Sequence, residues 1–343
     1  MATAALPPTP LVDTFGRRVR DLRISVTDRC NLRCRYCMPA EGLDWLARSE
    51  LLSFEEIARV ARVCVERFGF RSIRLTGGEP TVRAALPRLV AMLAGLEPLA
   101  ERQGDRLDLA LTTNGTTLAL LAGDLRRAGL DRVNISLDSL RPERFEQVTR
   151  RHALHQVLEG VDAAVAAGLF PVKVNCVLVR GVNDDEIVDF AAFGRERGVV
   201  VRFIEYMPLD ADGAWSAEQV VPAAEVLAAV DAVWPLEPLG GRGSQPAERF
   251  RYRDAAGEIG VVGSVTRSFC GTCDRVRLTA EGMFRNCLFA MDETDLRAVL
   301  RGGGSDDDLA AAMAADVGRK WAGHTIGQVT FGRPARSMSQ IGG

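Results

Sequence analysis

The chain is organised around one stretch, which reads Cys30-Asn31-Leu32-Arg33-Cys34-Arg35-Tyr36-Cys37. It holds three of the eight cysteines of the 343-residue sequence and directly follows a strand-like run at Leu22–Val26. Three thiolates spaced C-x3-C-x2-C, with no fourth cysteine nearby, can hold three corners of an iron–sulfur cubane and leave the fourth iron open to a small molecule. The alternative is zinc, but structural zinc sites usually have four protein ligands and paired C-x2-C knuckles.

A second set of three cysteines lies far along the chain, at Cys270, Cys273 and Cys287. The two remaining cysteines, Cys64 and Cys176, fall on apolar positions of a helix and a strand, so we expect them to be buried. A second cubane with an open iron is the favoured interpretation, and zinc with a fourth ligand from elsewhere is the alternative. The candidate histidines for that ligand are distant in sequence: His152, His155 and His324.

The composition is that of an ordinary globular protein, with 47% hydrophobic residues, 26% charged residues and a net charge of −2. This charge favours neither nucleic acid nor a membrane as a partner, and no apolar run of about 18 residues is present. The first 14 residues lack the basic start and apolar centre of a signal peptide. We therefore expect a cytoplasmic protein, where clustered cysteines more often bind metal. Arginines crowd around the first cysteine set, which indicates either an anionic ligand or a solvated surface.

Strand-like and helix-like segments alternate over the first two thirds of the chain, which is typical of a parallel sheet covered by helices. The predicted strands are Leu22–Val26, Ser72–Thr76, Asp108–Thr112, Arg132–Leu137, Val172–Val179 and Val200–Tyr206. The predicted helices are Phe54–Phe68, Arg83–Leu93, Leu118–Ala128, Leu154–Ala167 and Asp184–Arg197. Six units are fewer than the eight of a closed barrel. The predicted fold class is therefore α/β, a partial six-unit (β/α) barrel with a C-terminal α+β iron–sulfur extension.

Polar residues alternate with apolar ones along these strands, so a period of two gathers them on one face. Arg23 and Ser25, for example, alternate with Leu22 and Ile24. The other polar residues of this pattern are Arg74, Thr76, Asn134, Ser136, Asp138, Lys173 and Asn175. Barrel interiors are usually filled by branched apolar side chains, and buried polar groups are costly unless they have partners. Since helices should cover the other face, we expect the polar face to line an active site rather than contact solvent.

The alternation of strand-like and helix-like segments ends after Met207. We predict four segments along the chain. These are a flexible N-terminus at residues 1–15, the barrel at residues 16–230, an iron–sulfur region at residues 231–330 and a tail at residues 331–343. Pro235–Pro246 is predicted as a linker, and the end from Thr330 is predicted to be mobile. The third segment is predicted to contain short antiparallel strands at Arg249–Arg253, Ile259–Gly263, Arg275–Thr279 and Met283–Cys287, then helices at Asp292–Leu300 and Asp306–Trp321.

The first cysteine set resembles that of the radical S-adenosylmethionine superfamily, whose C-x3-C-x2-C loop matches Cys30, Cys34 and Cys37. The resemblance implies a [4Fe-4S] cluster whose open iron binds S-adenosylmethionine and whose electron cleaves it to a 5′-deoxyadenosyl radical. Four cofactor-binding positions are implied: Tyr36, Gly78, Ser136 and Met207. Gly78 lies within Thr76-Gly77-Gly78-Glu79-Pro80, where two glycines allow the backbone to approach a ligand closely.

The second cysteine set narrows the resemblance to one family. Residues 21–30 and 270–279 closely resemble the GTP 3′,8-cyclases of molybdenum-cofactor biosynthesis, and the match runs from about Arg18 to Gly343. It implies a second [4Fe-4S] cluster, held by Cys270, Cys273 and Cys287, whose open iron binds the guanine. The implied reaction converts GTP to (8S)-3′,8-cyclo-7,8-dihydroguanosine 5′-triphosphate by hydrogen abstraction at C3′ and attack on C8.

The same resemblance assigns the GTP contacts to Arg23, Arg74, Thr112, Lys173, Arg275, Val276 and Arg277. Three of them, Arg23, Arg74 and Lys173, are the cations that the strand period places on the polar face, and a triphosphate needs several cations. Where many relatives carry a lysine, this chain has Ser72. The terminal Gly342-Gly343 would ordinarily fray, but the resemblance implies that it enters the active site and is needed for turnover.

Partners follow from the resemblance as well. It implies a reductant protein and the next pathway enzyme, cyclic pyranopterin monophosphate synthase, and it allows a homodimer. Two other interpretations stay open. One is another radical S-adenosylmethionine enzyme with an auxiliary iron–sulfur cluster that acts on a peptide or another small molecule. The other is an electron-transfer or zinc-bound structural protein, which would not cleave S-adenosylmethionine.

Overall fold

A continuous sheet of twelve strands organises the described part of the chain, which in this computed structural model comprises residues 9–98, 106–210, 213–326, 328 and 331–342. The strands are β1 Asp21–Ser25, β2 Ser72–Thr76, β3 Asp108–Thr113, β4 Arg132–Ser136, β5 Lys173–Leu178, β6 Val200–Glu205, β7 Leu236–Leu239, β8 Glu248–Tyr252, β9 Glu258–Val262, β10 Arg275–Leu278, β11 Met283–Arg285 and β12 Thr294–Asp295. The helices are α1 Phe54–Arg62 (continued by a π-helical turn, Val63–Arg67), α2 Leu86–Ala94, α3 Leu118–Arg127, α4 Pro142–Thr149, α5 Leu154–Ala166, α6 Ile187–Arg197, α7 Ala223–Asp231, α8 Leu296–Arg301, α9 Asp306–Val317 and α10 Met338–Ile341.

Strands β1 to β6 are parallel and adjacent in chain order. Apolar side chains of these strands, such as Leu22 and Val174, join those of the helices, such as Ile57, in one hydrophobic core. The full order is β12-β11-β10-β1-β2-β3-β4-β5-β6-β9-β8-β7, and the two end strands do not pair with each other. The sheet therefore stays open, and the predicted partial barrel is confirmed.

Local signals set the ends of several elements as predicted. At the start of α1, the Ser53 hydroxyl accepts from the Glu56 amide at 3.1 Å, and the Glu56 carboxylate accepts from the Ser53 amide at 2.7 Å. This reciprocal pair satisfies two amides that the first helical turn leaves without partners. After α3 and α5, Gly129 and Gly168 adopt φ values of +105° and +72°, a conformation that ends a helix at little cost only for glycine.

The C-terminal strands pair differently from the predicted antiparallel set. β10 is parallel to β1, and β9 is parallel to β6, so that each extends one edge of the barrel. Among the twelve strands, the antiparallel pairs are those of β7–β8–β9 and β10–β11–β12. The reason is tertiary, because an open six-stranded barrel has two unpaired edges whose backbone groups need partners.

Smaller differences concern individual segments. The structure contains a helix, α4, that the sequence pattern does not predict. Pro235–Pro246, predicted as a linker, contains β7, since Leu236 is buried and pairs with β8. The helix predicted at Asp292–Leu300 begins at Leu296, after the short strand β12. The end that was predicted to be mobile contains α10, in which Ile341 is fully buried.

The remaining predictions concern the N-terminus, the division into segments, the two isolated cysteines and membrane-spanning helices. Residues 1–8 of the predicted flexible N-terminus lie outside the described residues, and the division into four segments stays a prediction. Cys64 and Cys176 are fully buried in the hydrophobic core, as expected. Within the described ranges, we find no helix with the length and hydrophobicity needed to cross a membrane.

Candidate active site

Both cysteine sets face one cavity inside the barrel. The cysteines on its wall are Cys30, Cys34, Cys37, Cys270, Cys273 and Cys287. The first set lies on the loop after β1, and the second set lies just before β10 and just after β11. The two sets meet although they are far apart in sequence, because β10 pairs with β1 along the edge of the barrel.

The first cysteine loop is held by the turn after β2. The Gly78 amide donates to the Thr27 carbonyl at 2.8 Å, and the Glu79 amide donates to the Arg29 carbonyl at 2.7 Å. A Cβ on Gly77 or Gly78 would overlap the backbone oxygens of residues 27–29, so this close approach requires glycine at both positions. The buried carboxylate of Glu79 fixes the turn by accepting hydrogen bonds from Thr81, Thr113 and Asn114.

The residues predicted to contact S-adenosylmethionine line the same cavity: Tyr36, Gly78, Ser136 and Met207. The Tyr36 hydroxyl donates to one Asp138 oxygen at 2.5 Å, and the other Asp138 oxygen accepts from the Val177 amide at 2.8 Å. Burial raises the pKa of Asp138 to about 6. Burial and the neighbouring Asp138 also raise the pKa of Tyr36. Tyr36 is therefore a neutral ring held in one orientation on the cavity wall.

The thiols of the first set are half-buried on the cavity wall, and this burial raises the pKa of Cys30 and Cys34 and takes that of Cys37 to about 12. A buried thiolate of this kind is stable only when a cation takes the place of its proton. Leu32 donates its amide toward the Cys30 sulfur at 3.4 Å. Without a bound metal, the first set would therefore stay as neutral thiols.

The second set has a different electrostatic environment. Burial again favours the neutral thiol of Cys270, but hydrogen bonds from His324 and Ser268 outweigh it and lower the pKa to about 6. For Cys273, burial is likewise outweighed, chiefly by the positive charges of Arg275 and Lys320, and the pKa is lowered. This part of the cavity stabilises negative charge on sulfur.

A row of arginines crosses the interior of the barrel. In the register of the sheet, Arg23 of β1 lies between Arg277 of β10 and Arg74 of β2. The Nε atoms of these three arginines are buried and have no hydrogen-bond partner in the described ranges. Arg202 of β6 lines the same cavity and donates to Asn175 at 2.9 Å. Because unpaired buried cations are costly, this row indicates that the cavity binds an anion.

The other residues predicted to contact GTP differ in position. Thr112 and Arg275 line the cavity, whereas Lys173 and Val276 are not among its lining residues. Lys173 belongs to the same positive cluster, because burial and the neighbouring arginines lower its pKa to about 7. The side chain of Val276 is fully buried in the hydrophobic core, so only its backbone can face a ligand.

The C-terminal segment reaches this cavity as well. Ser339 lines the wall and hydrogen-bonds to the Cys37 sulfur. Gly342 packs against Ser25 at the end of β1 so closely that a Cβ there would overlap the Ser25 hydroxyl. Gly343, the other predicted tail residue, lies outside the described residues. The segment leading to the terminal glycines is therefore packed at the site.

Several polar wall residues were not predicted to contact S-adenosylmethionine or GTP: Glu79, Asn114, Asp138, Asn175, Arg202 and His324. Of these, Asp138 and Asn175 were placed on the polar face of the strands, and His324 was a candidate zinc ligand. Arg202 alternates with the buried Val201 and Phe203, so the period-two argument applied to β6 would have identified it. Asn114 and His324 lie outside the strands and helices, where no periodicity indicates which side chains face a cavity.

The residues present fit the groups that the sequence implies. Each set brings three thiols and no fourth to the cavity, which leaves one iron corner open. In the part of the chain that the structure describes, no three His, Cys, Asp or Glu side chains converge on one point as a single metal ion requires. A cubane instead has its irons at separate corners, and the unpaired arginine nitrogens fit an anionic ligand.

Comparisons with known proteins agree with this site. Residues 24–194 match the family model of the radical SAM superfamily, and residues 199–326 match that of Molybdenum Cofactor Synthesis C. The fold is similar to Streptococcus suis SuiB, with a TM-score of 0.56, 15% sequence identity and coverage of 80% of this chain and 62% of SuiB. With SuiB bound to S-adenosylmethionine the TM-score is 0.60, at 14% identity over 87% of this chain and 68% of SuiB. Fold, cysteine loop and family model together define a radical S-adenosylmethionine enzyme, a class that uses this cofactor with an iron–sulfur cluster.

The relatives define the family more closely. The chain is 49% identical to the GTP 3′,8-cyclase of Streptomyces coelicolor, over 97% of this chain and 96% of that protein. It is 51% identical to the GTP 3′,8-cyclase of Acidothermus cellulolyticus, over 91% of this chain and 86% of that protein. The chain belongs to the GTP 3′,8-cyclase family.

Proposed function

We propose that this enzyme converts GTP to (8S)-3′,8-cyclo-7,8-dihydroguanosine 5′-triphosphate, the first step of molybdenum-cofactor biosynthesis. The observation that carries the proposal is the shared cavity, whose wall holds two sets of three cysteines and a row of arginines with buried Nε atoms that lack hydrogen-bond partners among the described residues. A radical enzyme that acts on a neutral substrate would not need these cations. The relatives named GTP 3′,8-cyclase, which match nearly the whole chain, support the same reaction.

The first cysteine set would hold the cluster that binds S-adenosylmethionine, at Cys30, Cys34 and Cys37. When bound, the cluster and this cofactor supply the 5′-deoxyadenosyl radical that takes hydrogen from C3′ of GTP. The chain's own contribution is orientation: the Gly77–Gly78 turn allows close backbone approach, and Tyr36 is fixed by its hydrogen bond to Asp138. Holding the reacting groups in one geometry supplies a large part of the rate enhancement in such sites.

The second cysteine set would hold a second [4Fe-4S] cluster, at Cys270, Cys273 and Cys287, next to the guanine. Three observations support this two-cluster count: the set faces the same cavity, it lacks a fourth cysteine, and its surroundings lower the pKa of two of its thiols. Arg275 and Arg277 leave this region along β10. They would continue the positive row toward Arg23, where the triphosphate would bind.

The row of cations would bind the triphosphate. Guanidinium groups suit phosphate oxygens because they donate two parallel hydrogen bonds. Arg23, Arg74 and Arg277 are adjacent in the sheet, and Arg202 approaches from β6. A bound triphosphate would satisfy the unpaired Nε atoms of Arg23, Arg74 and Arg277 and offset the cost of burying them. Lys173 and Thr112 would complete the set. The reductant protein, the next pathway enzyme, the homodimer and the cytoplasmic location stay predictions.

One anaerobic assay tests the proposed function. The protein is reconstituted with iron and sulfide, and 5′-deoxyadenosine is measured with GTP, with a peptide mixture and without substrate. We expect GTP alone to stimulate its formation and to yield the cyclised triphosphate. Stimulation by peptide alone would favour the alternative radical enzyme. A colourless protein that contains zinc and does not cleave S-adenosylmethionine would contradict radical chemistry altogether.

A further inference from the structure

A buried lysine ties together two segments of the second cysteine set. Lys320 follows α9, and only 3% of its surface is exposed. Its ammonium donates to the Arg275 carbonyl at 2.6 Å and to the Asn286 carbonyl at 2.6 Å. Arg275 lies two residues after Cys273, and Asn286 directly precedes Cys287. One ammonium group therefore spans the segments that present two of the three sulfurs.

Among the residues that the structure describes, no carboxylate pairs with this ammonium. Within the described residues its hydrogen-bond acceptors are two neutral carbonyls, and its charged neighbours Arg17 and Arg275 are themselves positive. Burial lowers the pKa of Lys320, and the sulfurs of Cys273 and Cys287 act in the opposite direction. A buried cation needs a nearby negative charge to stay charged. The two sulfurs are the groups placed to supply it.

We propose that Lys320 is a positioning residue of the second cluster, which holds the Cys273 and Cys287 segments together and balances the cluster's negative charge. The inference rests on the proposed second cluster. Hydrogen bonds, net charge and burial around an iron–sulfur cluster set its reduction potential. A fixed positive charge at this position stabilises the more negative, reduced state, so it raises the potential.

Arg17 shows by contrast what is specific to Lys320. Arg17 holds the remaining cysteine of the set by donating to the Cys270 carbonyl at 2.7 Å. It also donates to the Ala322 carbonyl at 2.8 Å. Its charge is already balanced, because Asp13 pairs with its Nε at 2.5 Å. Arg17 therefore fixes the backbone without adding net charge, whereas Lys320 fixes the backbone and also adds a positive charge.

The experiment uses the full chain with Cys30, Cys34 and Cys37 replaced by serine, so that only the second set can bind a cluster. Lys320→Met and Lys320→Arg are introduced into this parent and reconstituted anaerobically. Arg319→Met is the matched control, since this adjacent arginine is exposed and pairs with Asp316 at 3.3 Å. The readouts are iron content, the rate of cluster loss to a chelator and the midpoint potential followed by electron paramagnetic resonance.

We expect the parent to bind about four irons per chain. Lys320→Met should lose its cluster to the chelator about tenfold faster or more, and the cluster that remains should have a more negative potential. Lys320→Arg should restore the potential, and Arg319→Met should match the parent. If Lys320→Met prevents cluster assembly while its far-ultraviolet circular dichroism matches the parent, the holding role is supported.

Three results would overturn the proposal, and they are distinguishable. A parent that binds no iron would contradict the second cluster itself, and the role of Lys320 would fall with it. A parent that binds iron, with chelation rate and potential unchanged in Lys320→Met, would contradict only the role of Lys320. Loss of secondary structure in both Lys320 variants would show that the residue serves the general fold instead.

Discussion

Arg23, Arg74 and Arg277 lie side by side because the parallel register places equivalent positions of β10, β1 and β2 next to one another. Like charges at this spacing repel one another, and burial removes the water that would screen them. Burial, followed by the charge of Arg23, lowers the pKa of Arg74 and takes that of Arg277 to about 9. At the scale of single residues, the site is therefore prepared for an anion before one binds.

Because Lys173 can lose its proton, the positive charge of the site depends on pH. Burial and then the charges of Arg202, Arg132 and Arg74 lower its pKa to about 7, so it loses its proton as the pH rises above neutrality. A bound triphosphate would raise that pKa, and binding above pH 7 would then require proton uptake. We predict that the Kd for GTP increases between pH 7 and 9, by up to about tenfold per pH unit. Anaerobic equilibrium dialysis measures it.

The control for this prediction is Lys173→Arg, because a guanidinium keeps its charge over this pH range. The terminal phosphate of GTP titrates in both proteins, so the difference between their pH profiles isolates the lysine. We expect the Kd of Lys173→Arg for GTP to increase less between pH 7 and 9 than the Kd of the unsubstituted protein. Parallel profiles for the two proteins would contradict a role of Lys173 in binding the triphosphate.

Single cysteine substitutions separate the two halves of the cavity. Cys34→Ser should abolish cleavage of S-adenosylmethionine, because it removes a thiolate from the first cluster. Cys273→Ser should leave the first cluster and its binding of S-adenosylmethionine in place but lose GTP conversion. Iron content, 5′-deoxyadenosine and the cyclised product are measured for both. Full GTP conversion by Cys273→Ser would rule out the role given to the second set.

At the scale of elements, the loop after β1 and the turn after β2 determine each other's shape. The Gly78 amide donates to the Thr27 carbonyl at 2.8 Å, and any Cβ on Gly78 would overlap the backbone of Asp28 and Arg29. The sequence predicts the turn and its glycines, but it does not show that they support the cysteine loop. That contact connects residues about 50 positions apart, so local patterns do not contain it.

Replacing Gly78 should therefore damage the first cluster from outside its ligand set. We predict that Gly78→Ala displaces the first cysteine loop, lowers its iron content and weakens S-adenosylmethionine binding at least tenfold, a loss of about 1.4 kcal/mol. Iron analysis and binding titration of the reconstituted protein measure the two effects.

Gly271→Ala is the matched control, since this glycine lies between Cys270 and Cys273 and a Cβ there would meet nothing within 4 Å. It should keep both clusters. If Gly78→Ala keeps as much iron as Gly271→Ala, the overlap at Gly78 is relieved without consequence for the loop. Equal iron loss in the two variants would mean that the loss does not come from this overlap.

In the molecule as a whole, the C-terminal region contributes residues beside both cysteine sets. β10 adds the second cysteine set beside β1, and the tail returns to the first set through Ser339. Arg336 anchors this return by pairing with Glu293 at 2.6 and 2.8 Å and with Glu281 at 2.5 Å. The tail is therefore held by a partly buried ion-pair network rather than by its terminal residues alone.

Deleting Gly342 and Gly343 should abolish formation of the cyclised product while both clusters and S-adenosylmethionine binding are kept. The reason is that Gly342 fills a space beside Ser25 that no larger residue can enter. Arg336→Met, which keeps the glycines but removes their anchor, should reduce product formation in the same direction. Product analysis with iron content as the control tests both predictions. Unchanged turnover after the deletion would contradict a role of the terminal glycines in forming the product.

Three features of the site can be predicted from the amino-acid order: the two cysteine sets, the alternation that builds a partial barrel and the polar face that carries Arg23 and Arg74. Cysteine spacing, helix caps and strand period depend on neighbours within a few residues, so they can be recognised along the chain. Three other features are visible only in the folded chain: β9 and β10 extend the barrel edges, the Val276 side chain is buried away from the cavity, and Lys320 contacts both segments of the second set. These features depend on strand pairing and burial between distant segments, because backbone edges and buried charges find their partners wherever the fold brings them.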